Sequence, residues 1–388
     1  MSTNQSVSQN LGQLLSHADG WSLSSVIDWL YNEGRLITDP RQFVESLGEL
    51  LYESGVSLFK LQFAFRTLHP QVAACAFTWQ VDQDSAEFCL LHEDADSDGL
   101  PYPELELLIA QPGTDAIVLP LLSSSGNNNV MSLVTRSPQG FSDLDIAKIN
   151  ALSWLLSPII ETIAARRVMH ALLDTYIGHR SGMKVLDGLV KRGDGETIDA
   201  VIWYSDLRDF TDLSETLMPE TLISMLNDYF EFISETVKPY GGEVLRFIGD
   251  AILIIFPVQE KADIGEVCHS AIEAVIDSLN KLESLNENRM LAGDTLIRFG
   301  IGLHIGQLVY GNMGAPDRLE FTVIGAAVNR AERIEGLTKK LGIPTLFSAE
   351  FAAQVKDIVR PIGKFELQGI EEPLDVFELV TSGLPGRI

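Results

Sequence analysis

The feature that most constrains this chain is the run from Ala200 to Pro257, AVIWYSDLRDFTDLSETLMPETLISMLNDYFEFISETVKPYGGEVLRFIGDAILIIFP. An apolar segment of strand length, Ala200 to Tyr204, stops on Ser205 and Asp206, which places a carboxylate where a strand ends. Leu222, Met225, Leu226, Tyr229, Phe230 and Ile233 then recur at the spacing of one helix face, and Gly241-Gly242 stops the turn after it. Two further strands, Glu243 to Phe247 and Ala251 to Phe256, flank the tight turn Ile248-Gly249-Asp250, so a second carboxylate sits on a hairpin tip. Downstream, Ile264, Val267, Cys268, Ala271, Ile272, Val275 and Leu279 form another helical stripe, and Ile297, Phe299, Ile301 and Leu303 alternate as a strand. The order strand, helix, strand, strand, helix, strand is that of a ferredoxin-like palm, an α+β fold on an antiparallel sheet.

Asp206 alone reads as a helix cap and Asp250 alone as a turn former. Together, at the ends of strands in one sheet, they are the donor set that magnesium needs: hard oxygens, few in number, with substrate phosphates completing the shell.

These residues carry a resemblance. YSDLRDFT resembles the first-strand motif of class III nucleotidyl cyclases, and LRFIGDAIL resembles the hairpin that holds their second metal-binding Asp. GIGLHIGQLVYGNMG, RLEFTVIGAAVNRAERIEGL and IGKFELQGIEEPLDVFEL follow in the family's order, so the likeness covers roughly half the chain. It implies attack of a ribose 3′-hydroxyl on the α-phosphate of the same ATP, with pyrophosphate expelled. Two Mg2+ or Mn2+ ions would be held by Asp206, Asp250 and the Leu207 carbonyl. The turn from Leu207 through Arg208, Asp209, Phe210 and Thr211 would cradle phosphate oxygens on backbone N–H groups. Asn329 and Arg333, four apart and so on one helix face, would orient the ribose and stabilise charge on the α-phosphate. Arg246 and Thr322 would read the base. Each site would straddle a homodimer, with Asp206 and Asp250 from one chain and Arg246, Thr322, Asn329 and Arg333 from the other.

Three positions depart from the family. Asp209 stands where Gly is usual, beside the expected phosphates, and is unfavourable there unless it points away or meets a cation. Gln368 stands where a Lys is frequent, and Arg318 is the candidate to take up part of its role. Arg246 replaces the Lys of cyclic-AMP-forming members and the Glu of guanylyl cyclases. Arg is a donor only, so it serves adenine N1 and disfavours guanine. With Thr322 the chain resembles the Thr-type subgroup. Two other readings stay open: a catalytically silent nucleotide-binding regulator, and a cyclase for a pyrimidine nucleotide. GGEVLRF superficially resembles the diguanylate cyclase signature, but here the two glycines end a helix and do not form the hairpin turn.

Before the palm, helical patterns at Leu23 to Trp29 and Phe43 to Leu51 precede strand patterns at Leu58 to Phe65, Val72 to Val81, Glu87 to His92, Ala116 to Leu122 and Val130 to Val134. Thr38-Asp39-Pro40 is a helix-start signal. The run from Asp115 to Ile163 resembles the C-terminal half of a GAF domain, which implies an α+β sensor with a small-molecule ligand. The expected organisation is a tail at 1–20, the GAF-like domain at 21–165, a linking helix and linker at 166–196, with the helical pattern read from Pro158 onward, and the catalytic domain at 197–388. A net charge of −26 with only 28 Lys and Arg argues against nucleic acid as a partner. Cys75, Cys89 and Cys268 lack zinc spacing and sit in apolar runs, as expected in a reducing compartment. The N-terminus lacks a signal-peptide pattern, and the apolar stretch Ala151 to Ile160, interrupted by Ser153, Ser157 and Pro158, is short for a membrane span. These point to a cytoplasmic protein.

Overall fold

Alternation of apolar and polar side chains builds two separate sheets, one in each of the two units into which the chain divides, ending at Tyr176 and beginning at Ile177. The computed structural model describes residues 20–69, 72–83, 85–91, 113–124, 129–260 and 263–380. The expected N-terminal tail lies almost wholly outside the described residues, as does the side chain of Cys89.

In the N-terminal unit, α1 (Leu23–Asn32) and α2 (Pro40–Glu53) come first. Asp39 caps α2, accepting from the backbone N–H groups of Arg41 and Gln42, with Pro40 in the first turn as its fixed φ favours. Five antiparallel strands follow: β1 (Lys60–His69), β2 (Val72–Gln80), β3 (Glu87–Leu91), β4 (Asp115–Leu121) and β5 (Asn129–Thr135), in the order β3-β2-β1-β5-β4. Register sets Leu61 opposite Trp79 and Leu133, and Phe63 opposite Phe77 and Met131, so one sheet face is continuous apolar surface. That face packs against α1, α2 and the long α3 (Asp143–Ile177).

α3 begins well before Pro158, where the linking helix was expected to start, and carries that proline in its interior. Pro158 lacks the N–H that would reach the Trp154 carbonyl, yet Leu152, Leu156, Ile160 and Ile163 stay buried along one stripe on both sides of it, and this packing holds the helix through the break. Among the described residues, α3 is the one helix long and apolar enough to cross a membrane by length and composition. It ends at Gly178, whose φ of 81° no helix accommodates. The linking segment is therefore split, with α4 (His179–Leu186) starting afresh in the next unit.

In the C-terminal unit the palm order is β6 (Gly195–Leu207), α5 (Phe210–Thr216), α6 (Pro219–Val237), β7 (Glu243–Ile248), β8 (Ala251–Val258), α7 (Ile264–Ala292) and β9 (Phe299–Ala315). There follow β10 (Arg318–Ile324), α8 (Ala326–Leu341), β11 (Thr345–Ser348), α9 (Ala349–Ala352), β12 (Val359–Phe365) and β13 (Leu374–Leu379). The sheet runs β12-β13-β11-β9-β6-β8-β7, with β10 paired to the distal half of β9. Its central β9-β6-β8-β7 block is the ferredoxin-like arrangement. The sheet is not wholly antiparallel as expected, because β11 returns parallel to β9 after α8 crosses over.

Alternate residues of β6 and β8 face opposite layers. Val201, Trp203, Ile252 and Ile254 meet α6 and α7 through Tyr229, Ile233, Ala271 and Val275. Ala200, Ile202, Leu253 and Ile255 belong to the other layer, with Ala327 and Ala331 of α8. Full burial of each large side chain contributes about 1.5–3 kcal/mol, so shifting β6 by one residue would exchange the two layers and is strongly disfavoured.

Candidate active site

The two acids named from sequence meet. Asp206, near the end of β6, pairs in register with Ala251 of β8 and Gly300 of β9, while Asp250 sits in the β7–β8 turn beside Gly249, whose φ is 64°. Their carboxyl groups lie against each other, close enough to share a proton. Burial pushes Asp206 up to about 7, reinforced by that sharing with Asp250, by the charges of Asp250 and Glu335, and offset in part by the Leu207 N–H. Oδ1 of Asp206 is buried with no hydrogen-bond partner. The negative potential reaches Tyr204, whose phenol is pushed up to about 12 by burial and by Glu332, Asp206, Glu335 and Asp250. Beneath, Ser205 Oγ and the Tyr229 hydroxyl share a buried 2.6 Å hydrogen bond that fixes the end of the strand.

An orphaned carboxylate oxygen beside a second carboxylate fits a hard divalent cation. Among the described residues no cluster of three or more His, Cys, Asp or Glu forms a metal cage, so any ion there would draw further oxygens from backbone, water or phosphate.

The turn after β6 is held from two sides. The Arg208 N–H donates to the Arg298 carbonyl at 2.8 Å, and its guanidinium donates to Glu335 at 3.2 Å and to Thr338. Arg208, one of the turn residues expected to cradle phosphate on backbone N–H groups, thus commits its N–H to Arg298 and its guanidinium to Glu335 and Thr338 in this chain. Asp209 takes φ 59°, the left-handed region that glycine prefers, and its carboxylate meets Arg298 at 3.0 Å and Lys339 at 3.7 Å. Leu207 is buried in the β6–β9 ladder opposite Phe299, and Phe210 and Thr211 open α5.

Asn329 and Arg333 lie on the exposed face of α8, while Ala327, Ala331, Ile334, Glu335 and Thr338 form its buried face. Arg333 pairs with Glu332 at 3.3 Å. α8 lies close on β9 because Gly300 and Gly302 leave room. A Cβ at Gly302 would stand 2.4 Å from the Ala331 carbonyl oxygen, and one at Gly300 would strike Arg208, Thr338 and Glu335.

Arg246 on β7 pairs with Glu320 of β10 at 2.8 Å. Thr322, half-buried and opposite Gly311, lies two residues further along the same strand and so on the same side. Arg318 is exposed at the start of β10 opposite Ala315, at the far end of β9 from Gly300 and the acids. It is thus not brought to Asp206 and Asp250 within one chain. Gln368 is exposed in the turn before Gly369. The partners Glu320, Glu335, Thr338, Arg298 and Lys339 were not singled out from sequence; the one local signal was the Gly300-Gly302 pair, which marks a close helix approach.

Residues 195–369 match the family profile described as Adenylate and Guanylate cyclase catalytic domain. The C-terminal unit therefore contains a nucleotidyl cyclase catalytic domain. Among its relatives is adenylate cyclase 1 of Rhizobium meliloti (strain 1021), 34% identical over 181 residues, which are 46% of this chain and 27% of that protein. The adenylate cyclase of Anabaena cylindrica is 31% identical over 197 residues, 49% of this chain and 38% of that protein. The chain thus spans well under half the length of these relatives. A solved structure of a bacterial light-regulated adenylyl cyclase superposes with a TM-score of 0.51 at 18% identity, covering 82% of this chain and 93% of that one, which shows the fold alone.

Proposed function

We propose that the protein is an adenylate cyclase that converts ATP to 3′,5′-cyclic AMP and pyrophosphate at sites shared by two copies of the chain, under control of its N-terminal unit. The observation that carries this reading is the Asp206–Asp250 pair, with its buried, unpartnered oxygen, inside a domain that matches the cyclase family. Bound Mg2+ or Mn2+ supplies acidification of the ribose hydroxyl and neutralisation of the leaving phosphates. Asp206, Asp250 and the Leu207 carbonyl are the groups that hold it. Asn329 and Arg333, exposed on one face of α8, orient ribose and α-phosphate for a site completed by the partner chain, where Arg318 supplies a cation that Gln368 does not. Arg246 donates to adenine N1 and Thr322 accepts from the adenine amino group. The N-terminal unit acts as a GAF-like sensor of a small molecule. Free, buried Cys75 and Cys268 suit a cytoplasmic setting.

One contact favours a second reading of the base. Glu320, bonded to Arg246, adds the acceptor that Arg246 lacks. An acceptor beside a donor is what guanine's N1–H and amino group need, so GTP joins ATP as a candidate substrate.

The test is product formation by the purified chain with ATP, GTP, CTP and UTP in separate reactions, each with Mg2+ or Mn2+, read by mass. Cyclic AMP that depends on metal and disappears in Asp206→Ala is the expected result. Cyclic GMP supports the second reading, cyclic CMP or UMP moves the function to pyrimidines, and no product in any tube favours a silent regulator.

A further inference from the structure

Asp209 is the residue at which this chain departs most sharply from what a phosphate-binding turn needs, and the structure places a compensating pair beside it. Its backbone takes a φ of 59°, which costs a non-glycine residue on the order of 1 kcal/mol. Its carboxylate, directly after Asp206-Leu207-Arg208, would repel a triphosphate if left free. Instead it lies between the Arg298 guanidinium and the Lys339 ammonium, at 3.0 and 3.7 Å.

Each of these cations belongs to an anchor that also holds Arg208. The backbone carbonyl of Arg298 accepts from the Arg208 N–H, and Thr338, adjacent to Lys339, accepts from the Arg208 guanidinium. Two cations against one carboxylate leave the cluster net positive. Its members also line a cavity of about 690 Å³ between α7 and α8, so the turn is backed by open space on that side and not by packed side chains.

We infer that Arg298 and Lys339 are positioning residues that act through Asp209: they draw its charge off the nucleotide phosphates and fix the turn that follows the metal ligand Asp206. The inference rests on the cyclase reading of this site. The Arg298 and Lys339 side chains are 70% and 65% exposed, so water screens their ion pairs and they add little to global stability. Their effect belongs instead to nucleotide affinity, where a released Asp209 carboxylate acts directly.

The experiment is a cycle on the full chain: Asp209→Gly, the double variant Arg298→Gln/Lys339→Gln, and the three changes combined. For each, the dissociation constant of a fluorescent N-methylanthraniloyl ATP is measured with Mn2+, alongside KM, kcat and the thermal midpoint. The double variant is expected to weaken nucleotide binding and raise KM by roughly fivefold, with the midpoint nearly unchanged. In the Asp209→Gly background the same two changes should cost less than twofold, because no charge remains to be held, and Arg298→Lys alone should keep most of the affinity. An equal loss in both backgrounds overturns the inference, since the cations would then attract phosphate by themselves, and leaves the cyclase reading intact. Nucleotide binding with the expected cycle but without turnover upholds the inference and sinks that reading. Failure of every form to bind nucleotide overturns both.

Discussion

A half-buried aspartic acid that lies against a second aspartic acid and near a glutamate resists ionising, and for those reasons, in that order, Asp206 is held up at about 7 against an ordinary 3.8. Because the folded value is raised, the stability it contributes is fully present below pH 3.8 and is lost as pH rises through about 7. Asp206→Asn should therefore stabilise the metal-free chain more at pH 8 than at pH 5, measured as the thermal midpoint. Mn2+ should raise the midpoint of the parent more at pH 8, where no proton has to leave, and should barely shift the variant. An equal Mn2+ shift in both proteins would sink the metal assignment. His304 behaves oppositely. Burial lowers it to about 4 from 6.5, Glu350 opposes this and Arg330 adds to it, so its stability is present above pH 6.5 and lost as pH falls toward 4. Replacing it with Gln should flatten the acid limb of the pH–stability curve over that window. Asp206 and Asp250 were legible from sequence because each sits at a strand end that local alternation defines. Glu335, Thr338, Arg298, Lys339 and Glu320 were not, because each acts on a residue distant in the chain and looks locally like ordinary helix or strand surface.

At the scale of elements, α8 depends on β9 for its place. Alanine at Gly302 would put a methyl group 2.4 Å from the Ala331 carbonyl oxygen and the Glu335 nitrogen, both backbone atoms that cannot swing aside. Gly302→Ala should lower stability by about 1–3 kcal/mol, read as the denaturant midpoint. Gly336→Ala is the control: its Cβ meets nothing within 4 Å on the same helix, and it should gain up to ~1 kcal/mol from helix propensity. The palm elements were readable because period 2 and period 3.6 alternate cleanly from Ala200 to Leu303. The linking helix, expected from Pro158 onward, begins instead at Asp143, because Pro158 is an ordinary breaker in sequence and only the tertiary stripe of Leu152, Leu156, Ile160 and Ile163 carries the helix through it. The parallel return of β11 was hidden for a related reason, since strand direction depends on where α8 crosses and not on the composition of Thr345–Ser348.

For the whole molecule, the reading of a shared site makes a prediction that no single-chain enzyme would meet. Asp206→Ala and Arg333→Ala, each inactive alone, damage opposite halves of the site. Mixed in equal amounts, they should recover roughly a quarter of parental activity, because half the dimers are mixed and each mixed dimer retains one intact site of two. No recovery after exchange, confirmed by mass-tagged heterodimers, would confine the site to one chain. The surface of α8 that carries Asn329 and Arg333 and the turn that follows Asp206 are meanwhile welded to one another: Arg208 bolts the turn to α8 through Glu335 and Thr338, and the missing side chains at Gly300 and Gly302 let that helix seat directly on the strand. Mechanically this is a single stiff plate with different tools on two of its edges. Such a plate has no hinge of its own, so if two copies share a site as proposed, the gap between them would change by whole plates sliding past one another.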